Sequence, residues 1–171
     1  MSELLLEEQI GISLRERGMK LIMAESCTGG LVGHMITNIP GSSEYYLGSV
    51  TAYAYEVKEG LLGVKHETLQ QYGAVSKECV VEMAAGVRRA LAGSFPLDSI
   101  IGVSISGIAG PGGGLPQKPV GTVWIGMSAK EGNWACRFLW PGDRIQNKVD
   151  SAQAALQLIL RYLQNDLPRS D

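Results

Sequence analysis

A short apolar run passes directly into a polar segment that ends in two glycines: residues 21–30 read LIMAESCTGG. The apolar residues 21–24, bounded by Lys20 and Glu25, predict a short buried strand. Residues 27–38 predict a helix that ends before Pro40 and Gly41. The junction therefore places a polar segment at a helix start, where free N–H groups bind anions or stabilise an oxyanion.

Two interpretations of this junction are open from the residues alone. Ser26 or Thr28 is a helix cap and the glycines only allow close packing, or Gly29 and Gly30 make room for a ligand. The segment is not a Walker A loop, because the pattern GxxxxGK[ST] is absent.

Helices and strands alternate on both sides of this junction. The predicted helices cover 3–17, 56–61, 66–72, 76 to about 92 and about 143 onward, and the other predicted strands cover 47–54, 99–106, 120–128 and 134–140. This order predicts a single three-layer α/β/α domain over residues 1–165, with a mixed, mostly parallel sheet. Residues 166–171 are expected to form a frayed tail.

Composition excludes several classes of protein. The 171 residues carry a net charge of −2, which argues against a general nucleic-acid binder. No run reaches about 18 consecutive apolar residues, so no membrane helix is predicted. Three cysteines without a CxxC pair, and only two histidines, argue against a disulfide scaffold and a zinc site. We therefore expect a cytoplasmic protein without a metal.

Lys58 follows the second predicted strand, close to a helix start. Most lysines at such junctions are solvated surface charges. If burial lowered its pKa, neutral Lys58 would act as general base for a hydroxyl such as that of Ser26, with Tyr53 in the same network or simply in the core. The chain has no evident Ser-His-Asp triad, since neither His34 nor His66 lies in a glycine loop.

Five glycines lie in the segment SISGIAGPGGG at residues 104–114, after the predicted strand 99–106. Loops at the carboxyl ends of strands bind ligands in open α/β sheets, and their N–H groups form anion nests. A mobile surface loop is the alternative. A dinucleotide fold is disfavoured, because Pro116 and Pro119 follow where a helix would start.

Arg144 falls at the start of the last predicted helix, where the helix dipole does not favour a cation. A guanidinium binds phosphate or carboxylate with two parallel hydrogen bonds. Arg144 is therefore a candidate for substrate binding, and an exposed, solvated arginine is the alternative.

Seven segments together resemble the CinA C-terminal domain family, the nicotinamide-nucleotide amidohydrolases. They are AESCTGG at 24–30, Tyr53 with Lys58, LGV at 62–64, YGAVS at 72–76, GIAGP at 107–111, KPVG at 118–121 and GDR at 142–144. They occur in the family's order and span nearly the whole chain, and the chain's length is similar to that of stand-alone members of the family.

The resemblance implies hydrolysis of nicotinamide mononucleotide to nicotinic acid mononucleotide and ammonia, a step of pyridine-nucleotide recycling. It implies Ser26 as the nucleophile, Lys58 as its general base and Tyr53 as support for the pair. The oxyanion and the nucleotide would be held by groups at Thr28, Gly29, Gly30, Ser106, Gly107, Ala109, Gly110, Gly112 and Arg144. The resemblance implies no cofactor, and the expected partner is the small-molecule substrate. A homodimer is also expected, because small α/β enzymes often form symmetric dimers.

Three alternatives stay open. The chain is a non-catalytic nucleotide-binding protein, or an amidase for another small amide, since Ala54 and Tyr55 stand where the family often has Ser and Asn. In the third, Cys27 is the nucleophile, because thiolates near helix starts are reactive. Ser106 also departs from the family's common Thr, but it keeps the hydroxyl.

Overall fold

A five-stranded mixed sheet forms the centre of the molecule. The computed structural model describes residues 4–90 and 92–167. The strands are β1 (Lys20–Glu25), β2 (Tyr46–Thr51), β3 (Ile100–Gly107), β4 (Thr122–Ala129) and β5 (Gly132–Leu139), in the order β2-β1-β3-β4-β5. In the described ranges β2, β1 and β3 pair in parallel, and β4 is antiparallel to both of its neighbours. The predicted mixed sheet is confirmed, since β4 is the one strand that runs against the other four.

Helices cover both faces of the sheet. They are α1 (Leu6–Glu16), α2 (Leu31–Thr37), α3 (Tyr55–Leu62), α4 (His66–Tyr72), α5 (Lys77–Arg89) and α6 (Arg144–Leu163). Helices α1, α2 and α6 pack together on one face, and α3, α4 and α5 pack together on the other. The predicted three-layer α/β/α domain is therefore confirmed. None of these helices combines the length and the apolar character that crossing a membrane needs.

Strand β1 shows why the domain has three layers. Its side chains alternate between the two faces, so Leu21 and Met23 enter the core beneath α1, α2 and α6. Ile22 and Ala24 enter the second core, on the side of α3, α4 and α5. A strand that is apolar on both faces is stable only when helices cover both, which the run at residues 21–24 predicted.

Helix α5 lies close to the sheet. A Cβ atom on Gly102 would lie 2.3 Å from the Ala84 carbonyl oxygen, and one on Gly126 would lie 2.5 Å from that of Val80. Between them, the Ser104 hydroxyl donates to the Val80 carbonyl at 2.6 Å. The close approach of α5 therefore depends on two glycines and one serine in the sheet.

The second helix differs from its predicted bounds of 27–38, because α2 begins at Leu31. Gly29 and Gly30 have φ angles of 65° and 100°, in the left-handed region, and so cannot be helical residues. The two glycines therefore lie before the helix and not in its first turn, and the N-cap is Gly30 instead of Ser26 or Thr28. Two other predictions are confirmed: the Ser76 cap of α5 and the start of α6 near Asp143. Each of these side chains accepts an N–H of the following turn.

The expected frayed tail begins at residue 166. Asp166 still pairs with Arg161 at 3.1 Å, and Leu167 packs against the core. The rest of that expectation, residues 168–171, lies outside the described residues, as does the first residue of the predicted helix 3–17.

Candidate active site

The predicted catalytic residues meet at the carboxyl ends of the parallel strands. Ser26 directly follows β1, Gly107 ends β3, and α3 brings Lys58 back from the end of β2. A cavity of about 280 Å³ lies between them. Its lining is Ser26, Cys27, Tyr53, Tyr55, Lys58, Ala74, Val75, Ser106, Gly107, Ala109, Gly110, Gly112 and Arg144.

Lys58 and Ser26 are in direct contact, although 32 residues separate them in sequence. The Lys58 Nζ atom lies 3.1 Å from Ser26 Oγ, and the exposed fractions of the two residues are 1% and 8%. The backbone carbonyls of Ala52 and Tyr53 accept from Nζ at 2.6 and 3.1 Å. The amine is thus held by two carbonyls and directed at one hydroxyl.

Burial lowers the pKa of Lys58, because desolvation disfavours its ammonium form. A neutral amine has two N–H donors and one lone pair. In the ammonium form Nζ donates to Ser26 Oγ and to both carbonyls. In the neutral form the two carbonyls can take both donors, and the lone pair then faces Ser26 Oγ. This is the arrangement in which an amine accepts a proton from a serine hydroxyl.

Glu25 controls the turn that holds Ser26. Its carboxylate is fully buried and accepts the N–H groups of Gly30, Val32 and Gly33 at 2.9 to 3.1 Å. The N-terminus of α2, the expected anion site, is therefore filled by the chain's own carboxylate. Sequence reasoning missed this role, although an acid at the end of a buried strand was a signal that it needed partners.

The glycine-rich loop after β3 is held by the first turn of α6. Arg144 Nη1 donates to the Gly110 carbonyl at 2.7 Å, and Asn147 Nδ2 donates to the Ala109 carbonyl at 3.0 Å. Ser106, Gly107 and Gly112 also line the cavity, as expected for binding residues. Asn147 was missed, but its spacing of three from Arg144 places both side chains on one helix face.

Tyr53 and Tyr55 lie at the opening of the cavity. The Tyr53 hydroxyl accepts from Arg144 Nη2 at 3.2 Å, and 62% of the residue is exposed. Its phenol is thus hydrogen-bonded to Arg144, whereas its backbone carbonyl accepts from Lys58. Tyr55, which sequence reasoning did not select as a site residue, accepts the Ala74 N–H at 3.3 Å and forms part of the wall.

Three residues expected near the oxyanion lie outside the lining of the cavity: Thr28, Gly29 and Gly30. The Gly29 N–H donates to the Ser26 carbonyl and the Gly30 N–H to Glu25, so both glycine donors already have acceptors. The Thr28 hydroxyl is buried and has no partner among the described residues. The structure brings together the other predicted residues.

Cys27 is a poor nucleophile in this setting. Burial raises the pKa of its thiol to about 11, so the thiol is protonated at neutral pH. Within the described ranges, His, Cys, Asp and Glu side chains form no group of three that could hold a metal ion. A larger cavity of about 770 Å³ lies at the opposite end of the sheet, beside Arg17, Trp134 and Tyr162, and contains none of the predicted site residues.

Comparison with known sequences agrees with the resemblance of the motifs. The sequence model of the CinA C-terminal domain matches residues 4–163. A CinA-like protein of Salinibacter ruber is 48% identical over 158 residues, and one of Thermotoga maritima is 44% identical over 158 residues. Each alignment covers 92% of this chain and 37% of the relative, so the chain spans little more than a third of the curated relatives it matches.

Solved structures show the same similarity. A CinA superfamily protein of Klebsiella pneumoniae has a TM-score of 0.85 and 32% identity, with 94% of this chain and 96% of that chain covered. A competence/damage inducible protein of Agrobacterium tumefaciens has a TM-score of 0.81 and 32% identity, with 96% and 99% covered.

Proposed function

This chain belongs to the CinA C-terminal domain family, and we propose that it is an amidohydrolase that converts nicotinamide mononucleotide and water to nicotinic acid mononucleotide and ammonia. The observation that carries the proposal is the buried 3.1 Å contact between Lys58 Nζ and Ser26 Oγ. A hydroxyl beside a desolvated amine is a nucleophile beside its base. The resemblance of the motifs supplies the substrate.

The first half of the reaction forms an acyl-enzyme. Neutral Lys58 takes the proton of the Ser26 hydroxyl while Ser26 Oγ bonds to the carboxamide carbon, and the carbonyl oxygen becomes an oxyanion. The oxyanion then re-forms the carbonyl as the C–N bond breaks. The Lys58 ammonium gives its proton to the departing nitrogen, which leaves as ammonia, and Lys58 is neutral again.

The second half repeats these steps with water. Lys58 takes a proton from a water molecule as the water oxygen bonds to the acyl carbon. The bond to Ser26 Oγ then breaks, and Lys58 returns the proton to the serine. The carboxylic acid product loses its own proton to solvent, so Ser26 and Lys58 end in their starting forms.

The cavity separates the reacting amide from the rest of the nucleotide. Its volume of about 280 Å³ accommodates the ring that bears the carboxamide, and the ribose and phosphate extend toward Arg144 at the opening. A guanidinium has five N–H donors, and Arg144 uses two of its nitrogens on Gly110 and Tyr53. The remaining donors and the charge are what a phosphate requires.

The test is ammonia release from nicotinamide mononucleotide by the natural chain, by Ser26→Ala and by Cys27→Ala. We expect release by the natural chain and by Cys27→Ala, and none by Ser26→Ala. Cys27 is the matched control because it is the next residue in the same turn and lines the same cavity.

Two other outcomes of the ammonia assay would contradict the proposal. Release by Ser26→Ala but not by Cys27→Ala would move the nucleophile to the thiol. Binding of nicotinamide mononucleotide without ammonia release by the natural chain would refute the proposed activity and favour a nucleotide-binding protein.

One observation favours a second candidate, an amidase for a different small carboxamide. Tyr55 puts an aromatic ring into the wall of the cavity, held by the Ala74 N–H, where the family often has a small polar residue. Ammonia release should therefore be compared for nicotinamide mononucleotide, nicotinamide riboside and nicotinamide. Faster turnover of either phosphate-free amide would select this candidate.

A further inference from the structure

We infer that Asn147 is a positioning residue that turns the Gly110 N–H into the cavity as the donor that stabilises the oxyanion. The inference rests on the proposed function, since an oxyanion forms only if Ser26 attacks a carbonyl. It assigns a task to a buried side chain that touches neither Ser26 nor Lys58.

Two side chains of helix α6 donate hydrogen bonds to consecutive carbonyls of the glycine-rich loop. Asn147, which is 1% exposed, donates to the Ala109 carbonyl at 3.0 Å. Arg144 donates to the next carbonyl, that of Gly110, at 2.7 Å. The orientation of the peptide between Ala109 and Gly110 is therefore fixed by a side chain of the helix.

The fixed peptide determines where the Gly110 N–H points. Among the described residues the one cis peptide precedes Pro111, so the bond between Ala109 and Gly110 is trans. In a trans peptide the C=O and the N–H point in opposite directions. Asn147 holds the C=O from outside the cavity, whereas Ala109 and Gly110 both line it. The N–H accordingly faces the cavity.

This donor is free for a ligand, as are, among the described residues, the N–H groups of Ala109 and Gly112, which also line the cavity. Over residues 4–90 and 92–167 no acceptor is recorded for the Gly110 N–H. The Ile108 N–H donates to the Thr122 carbonyl, the Gly29 N–H to the Ser26 carbonyl and the Gly30 N–H to Glu25. The competing donors are the N–H groups of Ala109 and Gly112 in the loop and of Cys27 and Thr28 in the turn. Only the Ala109–Gly110 peptide has its carbonyl held by Asn147, and the experiments distinguish its N–H from the others.

The first experiment compares Asn147→Leu and Asn147→Asp with the natural chain. Both changes remove the donor to Ala109, and Asn147→Asp keeps the shape of the side chain. Loss of one oxyanion donor lowers kcat by about 10²-fold to 10³-fold in other enzymes. We expect kcat for nicotinamide mononucleotide to fall by about 10²-fold with KM unchanged, because the ground-state carbonyl needs this donor less than the oxyanion does.

Gln146→Leu is the matched control, and an ester serves as second substrate. Gln146 lies in the same turn and is exposed, and among the described residues its hydrogen bonds stay within α6 and its cap. Its loss should therefore leave kcat unchanged. The rate of Ser26 acylation by p-nitrophenyl acetate should fall in the Asn147 variants in parallel with kcat. If the natural chain is acylated by the ester but leaves nicotinamide mononucleotide intact, the proposed function fails and the ester rates still test Asn147.

Equal rates in the Asn147 variants and the natural chain would overturn the inference. So would a loss confined to KM, or no reaction of the natural chain with either substrate. A second measurement needs no variant. Ser26 Oγ adds to the boron of pyridine-3-boronic acid while its proton passes to Lys58, which leaves a tetrahedral boronate anion. The amide proton signal of Gly110 should move downfield in the NMR spectrum of that adduct. Movement of the Ala109 or Gly112 signal instead would assign the donor to another loop peptide, and movement of the Cys27 or Thr28 signal would assign it to the turn. Either result would overturn the inference.

Discussion

The floor and the opening of the cavity each contain one basic side chain, in opposite surroundings. At the floor, Lys58 is 1% exposed, and its Nζ contacts two carbonyls and Ser26. At the opening, Arg144 is exposed and donates to the Gly110 carbonyl and the Tyr53 hydroxyl. Burial lowers the pKa of Lys58, whereas a guanidinium keeps its charge in proteins.

The difference separates chemistry from binding. A buried amine that loses its proton is a base, and an exposed guanidinium that keeps its charge is an anion ligand. Changes at the floor should therefore lower kcat, and changes at the opening should raise KM. Tyr53 belongs to both regions, since its carbonyl contacts Lys58 and its phenol contacts Arg144.

The largest effect is expected at the floor, from Lys58→Met. Removing a general base costs about 10²-fold to 10⁴-fold in rate, and the change should lower kcat by that factor with little change in KM for nicotinamide mononucleotide. Lys77→Met, at the exposed start of α5, is the control and should leave kcat unaltered. An Lys58→Met variant that loses affinity instead of rate would mean that Lys58 binds the substrate.

The next effect is expected at the opening, from Arg144→Gln. A hydrogen bond to a charged group contributes about 1.5–3 kcal/mol, so KM for nicotinamide mononucleotide should rise by about 10-fold to 100-fold while kcat changes less. Nicotinamide riboside lacks the phosphate and provides the control, because its KM should stay the same in this variant. Equal losses for both substrates would exclude Arg144 as the phosphate ligand.

The pH dependence of kcat/KM should reflect the ionisation of Lys58 at the floor and not Arg144 at the opening. The active form of Lys58 is the neutral one, and its pKa lies below the ordinary value for lysine. The neutral fraction grows as pH rises, so activity should increase by about tenfold per pH unit below that pKa and level off above it. Arg144→Gln should leave the position of this rise unchanged. Activity that falls as pH rises through the same range would contradict Lys58 as base.

Local patterns predicted most of the fold but only part of the site. The apolar run at residues 21–24 predicted β1, because a strand covered on both faces is apolar on both. The start of α2 was misplaced, since sequence does not reveal that Gly29 and Gly30 take positive φ angles. The contact of Ser26 with Lys58 was implied by the family's motifs. Asn147 was missed because its partner, a backbone carbonyl 38 residues away, has no sequence signature.

The smallest effect should come from Tyr53→Phe, which separates the two contacts of the residue shared by floor and opening. The change keeps the carbonyl that contacts Lys58 and removes only the hydroxyl that contacts Arg144. Such a hydrogen bond contributes about 0.5–1.5 kcal/mol, and this one is at an exposed position, so KM should rise by less than about tenfold and kcat should not change. Tyr72→Phe, at another exposed tyrosine, is the control. A fall in kcat for Tyr53→Phe would mean that the phenol reaches the reacting atoms, and the separation of floor from opening would then be wrong.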